Sequence, residues 1–152
     1  MASLGDKFPP EKRRAFIEQR LVPGCVIRIE VKFPEVTKPK YLVLVADDDP
    51  EIWTFVVNSE ISQYVTARPH LLKCQVKIAA ADHAFLPHDS HLACDKVLHL
   101  HRADVIRELV ANVGGIKGSV ADDVRDQICA AVKFAKTLAP AEKTRILSSL
   151  AE

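Results

Sequence analysis

Residues 24–57, GCVIRIEVKFPEVTKPKYLVLVADDDPEIWTFVV, decide the fold class of this chain. Ile27, Ile29, Val31 and Phe33 alternate with Arg28, Glu30 and Lys32, the period of two expected of a half-buried strand. Pro34 through Pro39 reads as a loop, and Lys38 and Lys40 sit at its end. Residues 41–46, YLVLVA, are a short unbroken apolar run, which suits a central strand. Asp47 through Pro50 turns the chain, and IWTFVV over residues 52–57 is rich in the branched and aromatic residues that favour strands. The second and third strands together resemble a hairpin with an acidic turn.

Downstream, Leu72, Cys74, Val76 and Ile78 alternate with Lys73, Gln75 and Lys77, predicting a fourth strand, and residues 96–101 predict a fifth. Five short strands with close turns point to a small barrel or rolled antiparallel sheet rather than a βαβ array. Closure would also remove exposed edges. Upstream, a polar leader ends at Pro9-Pro10. A helix follows with Phe16, Ile17 and Leu21 on one side and Lys12, Arg13, Arg14 and Arg20 on the other, until Pro23-Gly24 breaks it. After His101 the period becomes helical through Val105, Ile106, Leu109, Val110 and Val113, ending at Gly114-Gly115. Ser119 is a candidate N-cap for a longer helix with Asp122 and Asp123 in its first turn. Val120, Val124, Ile128, Val132 and Ala135 form its apolar stripe, and Pro140 can start a final helix. The expectation is a single α+β domain over residues 1–152. It comprises an N-terminal helix over 9–22, a barrel of five to seven strands over 23–101, and two to three helices over 102–150.

The chain has 152 residues, enough for one hydrophobic core without staples. Net charge is +1, so no bulk field announces a nucleic acid or a membrane. The distribution is uneven: residues 1–40 hold nine Lys/Arg against five Asp/Glu, while residues 41–60 hold five acids and no base. Four cysteines are scattered without a CxxC pair, unlike a disulfide framework. The first fourteen residues contain no apolar stretch of the secretory kind, and no apolar run approaches the ~20 residues of a membrane span. A cytoplasmic protein without membrane contact is expected.

There is no GxGxxG, P-loop, GxSxG, HExxH or zinc-deaminase pattern, which argues against classes that need a phosphate cradle or a dedicated metal. Five of the six histidines (His83, His88, His91, His99, His101) fall within nineteen positions, together with Cys94. Imidazole and thiolate at such separations suit zinc. Loop and strand placement without a CxxC anchor or an acidic second shell weighs the other way, and no metal or cofactor is expected. A second constellation joins the basic loop of Lys38 and Lys40 to the hydroxyl of Ser59 after the third strand. If the hairpin arms bring them to one end of the sheet, the cations can bind a phosphate and stabilise its developing charge.

PGCVIRIEV (residues 23–31), KPKYLVLVADDD (38–49) and EIWTFVVNSEIS (51–62), in that order, resemble the opening of the PemK/MazF-like toxin family. DHAFLPHDSHLACDKVLHL (82–100) is similar to a later stretch of a divergent branch. HRADVIRELVANVGGIKGSVADDVRDQICAAV (101–132) resembles the family's close. The likeness lies in the order of elements over roughly residues 22–135. It implies an SH3-like barrel, a homodimer and a cognate antitoxin protein. Its implied activity is metal-independent endoribonuclease action on single-stranded RNA, in which a 2′-hydroxyl attacks the adjacent phosphate. The family's Arg-Pro position falls on Lys38-Pro39 and its hydroxyl on or near Ser59, making Lys38 and Ser59 the catalytic candidates. Arg28, Lys40 and Arg68 are the RNA-binding candidates. Lys38 stands where the family uses Arg, and Asn58-Ser59-Glu60 where it uses Pro-Ile-Thr. Two other functions remain open: a non-catalytic interaction module on the same fold, such as a degenerate toxin homologue, and a metal-dependent hydrolase built on the His/Cys cluster.

Overall fold

A computed structural model describes residues 9–151; the polar leader over residues 1–8 lies outside them. Helix α1 (Pro10–Arg20) precedes strands β1 (Cys25–Lys32), β2 (Thr37–Asp48) and β3 (Glu51–Asn58). Two single-turn helices follow, α2 (Gln63–Thr66) and α3 (Pro69–Leu72), then β4 (Gln75–Ile78) and the long β5 (Ser90–His101). The chain ends with α4 (Arg102–Ala111), β6 (Ile116–Ser119), α5 (Asp122–Phe134) and α6 (Pro140–Ala151). The architecture is α+β, with one antiparallel six-stranded sheet in the order β4-β5-β3-β2-β1-β6.

Strand alternation distributes the apolar side chains over two cores. Ile27, Ile29 and Val31 of β1, Leu42 and Leu44 of β2 and Ile52 of β3 meet Ile17 and Leu21 next to α4 residues Val105, Ile106 and Leu109. The opposite parity, including Val26, Val43, Phe55, Leu92 and Cys94, packs beneath α5 and α6 through Val124, Ile128, Val132, Ile146 and Leu150. The run Leu42–Val45 is fully buried because helices cover both faces of β2. A register shift between Leu44 and Ala46 turns both Val45 and Ala46 toward the α5/α6 core.

The expected closure into a barrel is not formed by strand pairing: β4 and β6 are both edges, so the sheet is open. The loop after β4 bridges these edges instead. His83 is 2% exposed; its Nε2 accepts from the Ala121 N–H at 3.1 Å, which requires Nδ1–H to donate to the Ala79 carbonyl at 2.8 Å. Phe85 meets the α-carbon side of Gly118 in β6, and its carbonyl accepts from the Tyr41 hydroxyl at 3.2 Å.

Several sequence boundaries shift. The loop expected over Pro34–Pro39 is only Phe33–Val36, because Thr37 through Lys40 pair with Lys32 through Ile29, so Lys38 and Lys40 are strand residues of β2. Leu72, expected in the fourth strand, closes helical turn α3 and is exposed, because Pro69 starts a turn there and β4 begins only at Gln75. The fifth strand starts at Ser90, six residues before its expected start at Lys96. Ser119 does not cap α5: it pairs with Cys25 in β6, and the cap position is Ala121, without a side-chain cap bond. Gly24 is required between α1 and β1. Its φ of +94° disfavours a side chain, and an added Cβ would lie 2.6 Å from Arg125 Nη1. Arg125 in turn donates to the carbonyls of Pro23 at 3.1 Å and Leu150 at 2.6 Å, tying this turn to α6.

Candidate functional site

Where β2 and β3 run past the helices, Lys40 lies in the wall shared by two concavities. On β2, Lys38 and Lys40 share the parity of Leu42 and Leu44, while Val56 and Asn58 of β3 carry the matching face. The Lys40 Nζ donates to Asn58 Oδ1 at 2.8 Å. Burial of the ammonium lowers its pKa from the ordinary 10.5, and repulsion by Lys38 lowers it further.

The larger concavity, about 760 Å³, contains Lys38, Lys40, Lys32 and Lys96. Lys38 Nζ lies 5.7 Å from the centre of the Phe33 ring, which holds this β2 lysine against the groove wall. Glu35, Glu60 and Asp95 also line it, so its charge is mixed rather than uniformly positive. Its hydroxyl is Ser62, whose Oγ accepts from the Val65 N–H at 3.2 Å and caps α2. Gln75, also in the wall, keeps a buried amide nitrogen without a hydrogen-bond partner. Apolar surface is supplied by Phe33, Val36, Ile61 and Val65, with Val36 itself 50% exposed.

The smaller concavity, about 170 Å³, lies on the side of Tyr41 and Val57, whose parity belongs to the α5/α6 core. It gathers Arg28, Lys40, Ser59, His88 and Ser90, and no carboxylate lines it. Arg28 stands over the Tyr41 ring, with its guanidinium carbon 5.8 Å from the ring centre.

The sequence-derived site is thus divided. Lys38 is in the larger concavity and Ser59 in the smaller one, with Lys40 between. Arg28 joins Ser59. Arg68 lines neither concavity; it stacks on Tyr64 at 3.5 Å and donates to the Tyr64 carbonyl at 2.8 Å. Sequence reasoning missed Ser62, which shares a groove with Lys38 because three residues of turn carry the chain back across the end of β3. It also treated His88 only as a metal ligand.

The His/Cys cluster is dispersed. His83 spends both ring nitrogens on backbone groups. His99 lies between Glu51 at 3.4 Å and Glu142 at 3.7 Å, with its ring 5.1 Å from that of Trp53. Cys94 is in the core, its thiol pushed well above its ordinary pKa chiefly by burial. No group of three or more His, Cys, Asp or Glu able to hold a metal forms among the described residues. Cys25, Cys74, Cys94 and Cys129 are all free thiols, and no helix among the described residues is long and apolar enough to cross a membrane. No family model and no curated protein matches this chain.

Proposed function

We propose that the chain is the toxin-like component of a toxin–antitoxin module, a divergent PemK/MazF-like protein that cleaves single-stranded RNA in the larger concavity. The observation that carries this function is the placement of Lys40, a partly desolvated cation braced by Asn58 and flanked by Lys38 in a groove that also holds a hydroxyl and carboxylates. The desolvated setting strengthens attraction for a phosphate, and two neighbouring ammonium groups stabilise charge on its non-bridging oxygens. In the cleavage, the 2′-oxygen bonds to phosphorus as the bond to the 5′-oxygen breaks. One of Glu35, Glu60 or Asp95 takes the 2′-hydroxyl proton, the leaving oxygen gains a proton, and the products are a 2′,3′-cyclic phosphate and a 5′-hydroxyl. Ser62 is the hydroxyl that shares the groove with Lys38; Ser59 stands on the other side of Lys40.

The family resemblance supplies the remainder of the proposal: an SH3-like arrangement with the loop after β4 standing in for the closing ladder, a homodimer, a cognate antitoxin and a cytoplasmic setting. The apolar share of the groove, especially the exposed Val36, favours a second function as a non-catalytic interaction module. Incubation with a panel of single-stranded RNAs in the presence of chelator separates the two. The expected result is cleavage leaving 5′-hydroxyl ends, lost in Lys38→Ala with Lys40→Ala. Absence of cleavage across the panel, by folded protein, would refute the nuclease and leave the interaction module.

A further inference from the structure

We propose that the smaller concavity is a phosphoryl-group pocket, occupied by a phosphate of an RNA strand that crosses Lys40 from the larger groove. The occupant rests on the RNA-cleaving function above; the pocket's chemistry stands on its own residues. Arg28 and Lys40 contribute cations and Ser59 a hydroxyl, with the His88 imidazole alongside, whereas the larger groove mixes lysines with three carboxylates. Cations and hydroxyls without a carboxylate select an oxyanion. Asp89, next in the chain to His88, is directed elsewhere: it accepts from the Ala80 N–H at 2.8 Å and pairs with Lys77 at 3.4 Å.

Size supports the same class. At about 170 Å³ the concavity has the liquid volume of about six waters, which suits a hydrated phosphoryl group better than a nucleobase with its sugar. The walls are also positioned in advance. Tyr41 anchors the Phe85 carbonyl, and the Ser90 hydroxyl donates to the His88 carbonyl at 3.3 Å. His88 Nδ1 lies 2.9 Å from the Asp89 carbonyl, so it carries a hydrogen toward that oxygen; Nε2, outside the bond, donates to a phosphate oxygen only when the ring is doubly protonated. Arg28 presents a planar fork, the side chain best matched to two phosphate oxygens. Lys40 is common to both concavities, so consecutive phosphates of one strand can straddle it.

Calorimetric titration of the full chain with inorganic phosphate, against sodium chloride at equal ionic strength, tests the pocket. Arg28, Ser59 and His88 are exposed, so Arg28→Ala, Ser59→Ala and His88→Gln should leave the melting temperature unchanged. The expected result is phosphate binding weakened about tenfold or more by Arg28→Ala, as loss of one charge-assisted contact implies, and several-fold by His88→Gln. Arg68→Ala, outside both concavities, should leave it unchanged. Equal binding by wild type, Arg28→Ala and His88→Gln, or no binding by wild type, overturns the pocket. Competition then identifies the source. Displacement of phosphate by both 5′-phosphorylated and 5′-hydroxyl RNA supports an internal phosphodiester, and displacement by the phosphorylated strand alone supports a chain end. Displacement by neither overturns RNA as the occupant. Displacement without cleavage removes the nuclease function and leaves the pocket standing.

Discussion

Replacing His83 by alanine should loosen the seam between the two edges of the sheet, and the structure sets the size of the effect. The imidazole is 2% exposed and joins the Ala79 carbonyl to the Ala121 N–H, two groups 42 residues apart in sequence. Loss of two hydrogen bonds to half-buried backbone groups costs about 1 kcal/mol each. Its edge-on contact with Phe85, at 5.7 Å between ring centres, contributes about another 1 kcal/mol of packing. The sum, about 3 kcal/mol, is a large share of the ~5–15 kcal/mol that holds a domain together. It corresponds to a fall of roughly 6–12 °C in melting temperature for a domain of this size. Urea unfolding of wild type, His83→Ala and His83→Asn is the assay. Asparagine can still donate to Ala79 but does not reach Ala121, so it should recover part of the loss. Amide exchange adds a local readout: Ala121 N–H should be protected in the wild type and exchange rapidly in His83→Ala. A change below about 0.5 kcal/mol, the usual scale of a surface substitution, would refute the bridging role of His83. So would an unchanged Ala121 exchange rate.

Gly24→Ala should destabilise the fold by about 1–3 kcal/mol in urea unfolding, since φ is +94° and the new Cβ would meet the Arg125 guanidinium at 2.6 Å; an unchanged midpoint would show that Arg125 can yield without loss. The Lys40 ammonium, followed by NMR, should titrate below the ordinary 10.5, and Lys38→Ala should move it upward by removing the neighbouring charge. Because the folded state holds this proton less tightly than the unfolded chain, the contribution of Lys40 makes stability rise with pH from the lowered pKa up to 10.5. A Lys40 that titrates at its ordinary value, or a Lys38→Ala variant that leaves it unmoved, contradicts the proposed desolvated site.

Much of the scaffold was legible because helix and strand periods are local. The alternation from Ile27 to Phe33 and the apolar run 41–46 identified the two strands that carry the floor of the site. The stripe Val124, Ile128, Val132 identified the helix that covers one face. The start of β5 was also present as a period of two in Ser90, Leu92 and Cys94, all buried, but His88, His91 and Cys94 read more readily as candidate ligands. β6, at four residues including a glycine, is too short to leave a pattern.

Residue chemistry alone therefore determined an α+β domain, since amphipathic period and turn residues act over a few positions; the expected basic loop became strand once Thr37–Lys40 paired with β1, which leaves Lys38 and Lys40 on β2. Tertiary structure decided that the sheet stays open between β4 and β6 and that the gap is spanned by His83 reaching Ala121 across 38 residues, which no strand's own pattern records. It also decided the partners of Lys38. Strand parity and the turn after Asn58 put Ser62 in its groove and Ser59 in the other. The side chain of Lys40 joins the two concavities, because its neighbour across the ladder is Asn58, a contact set by register.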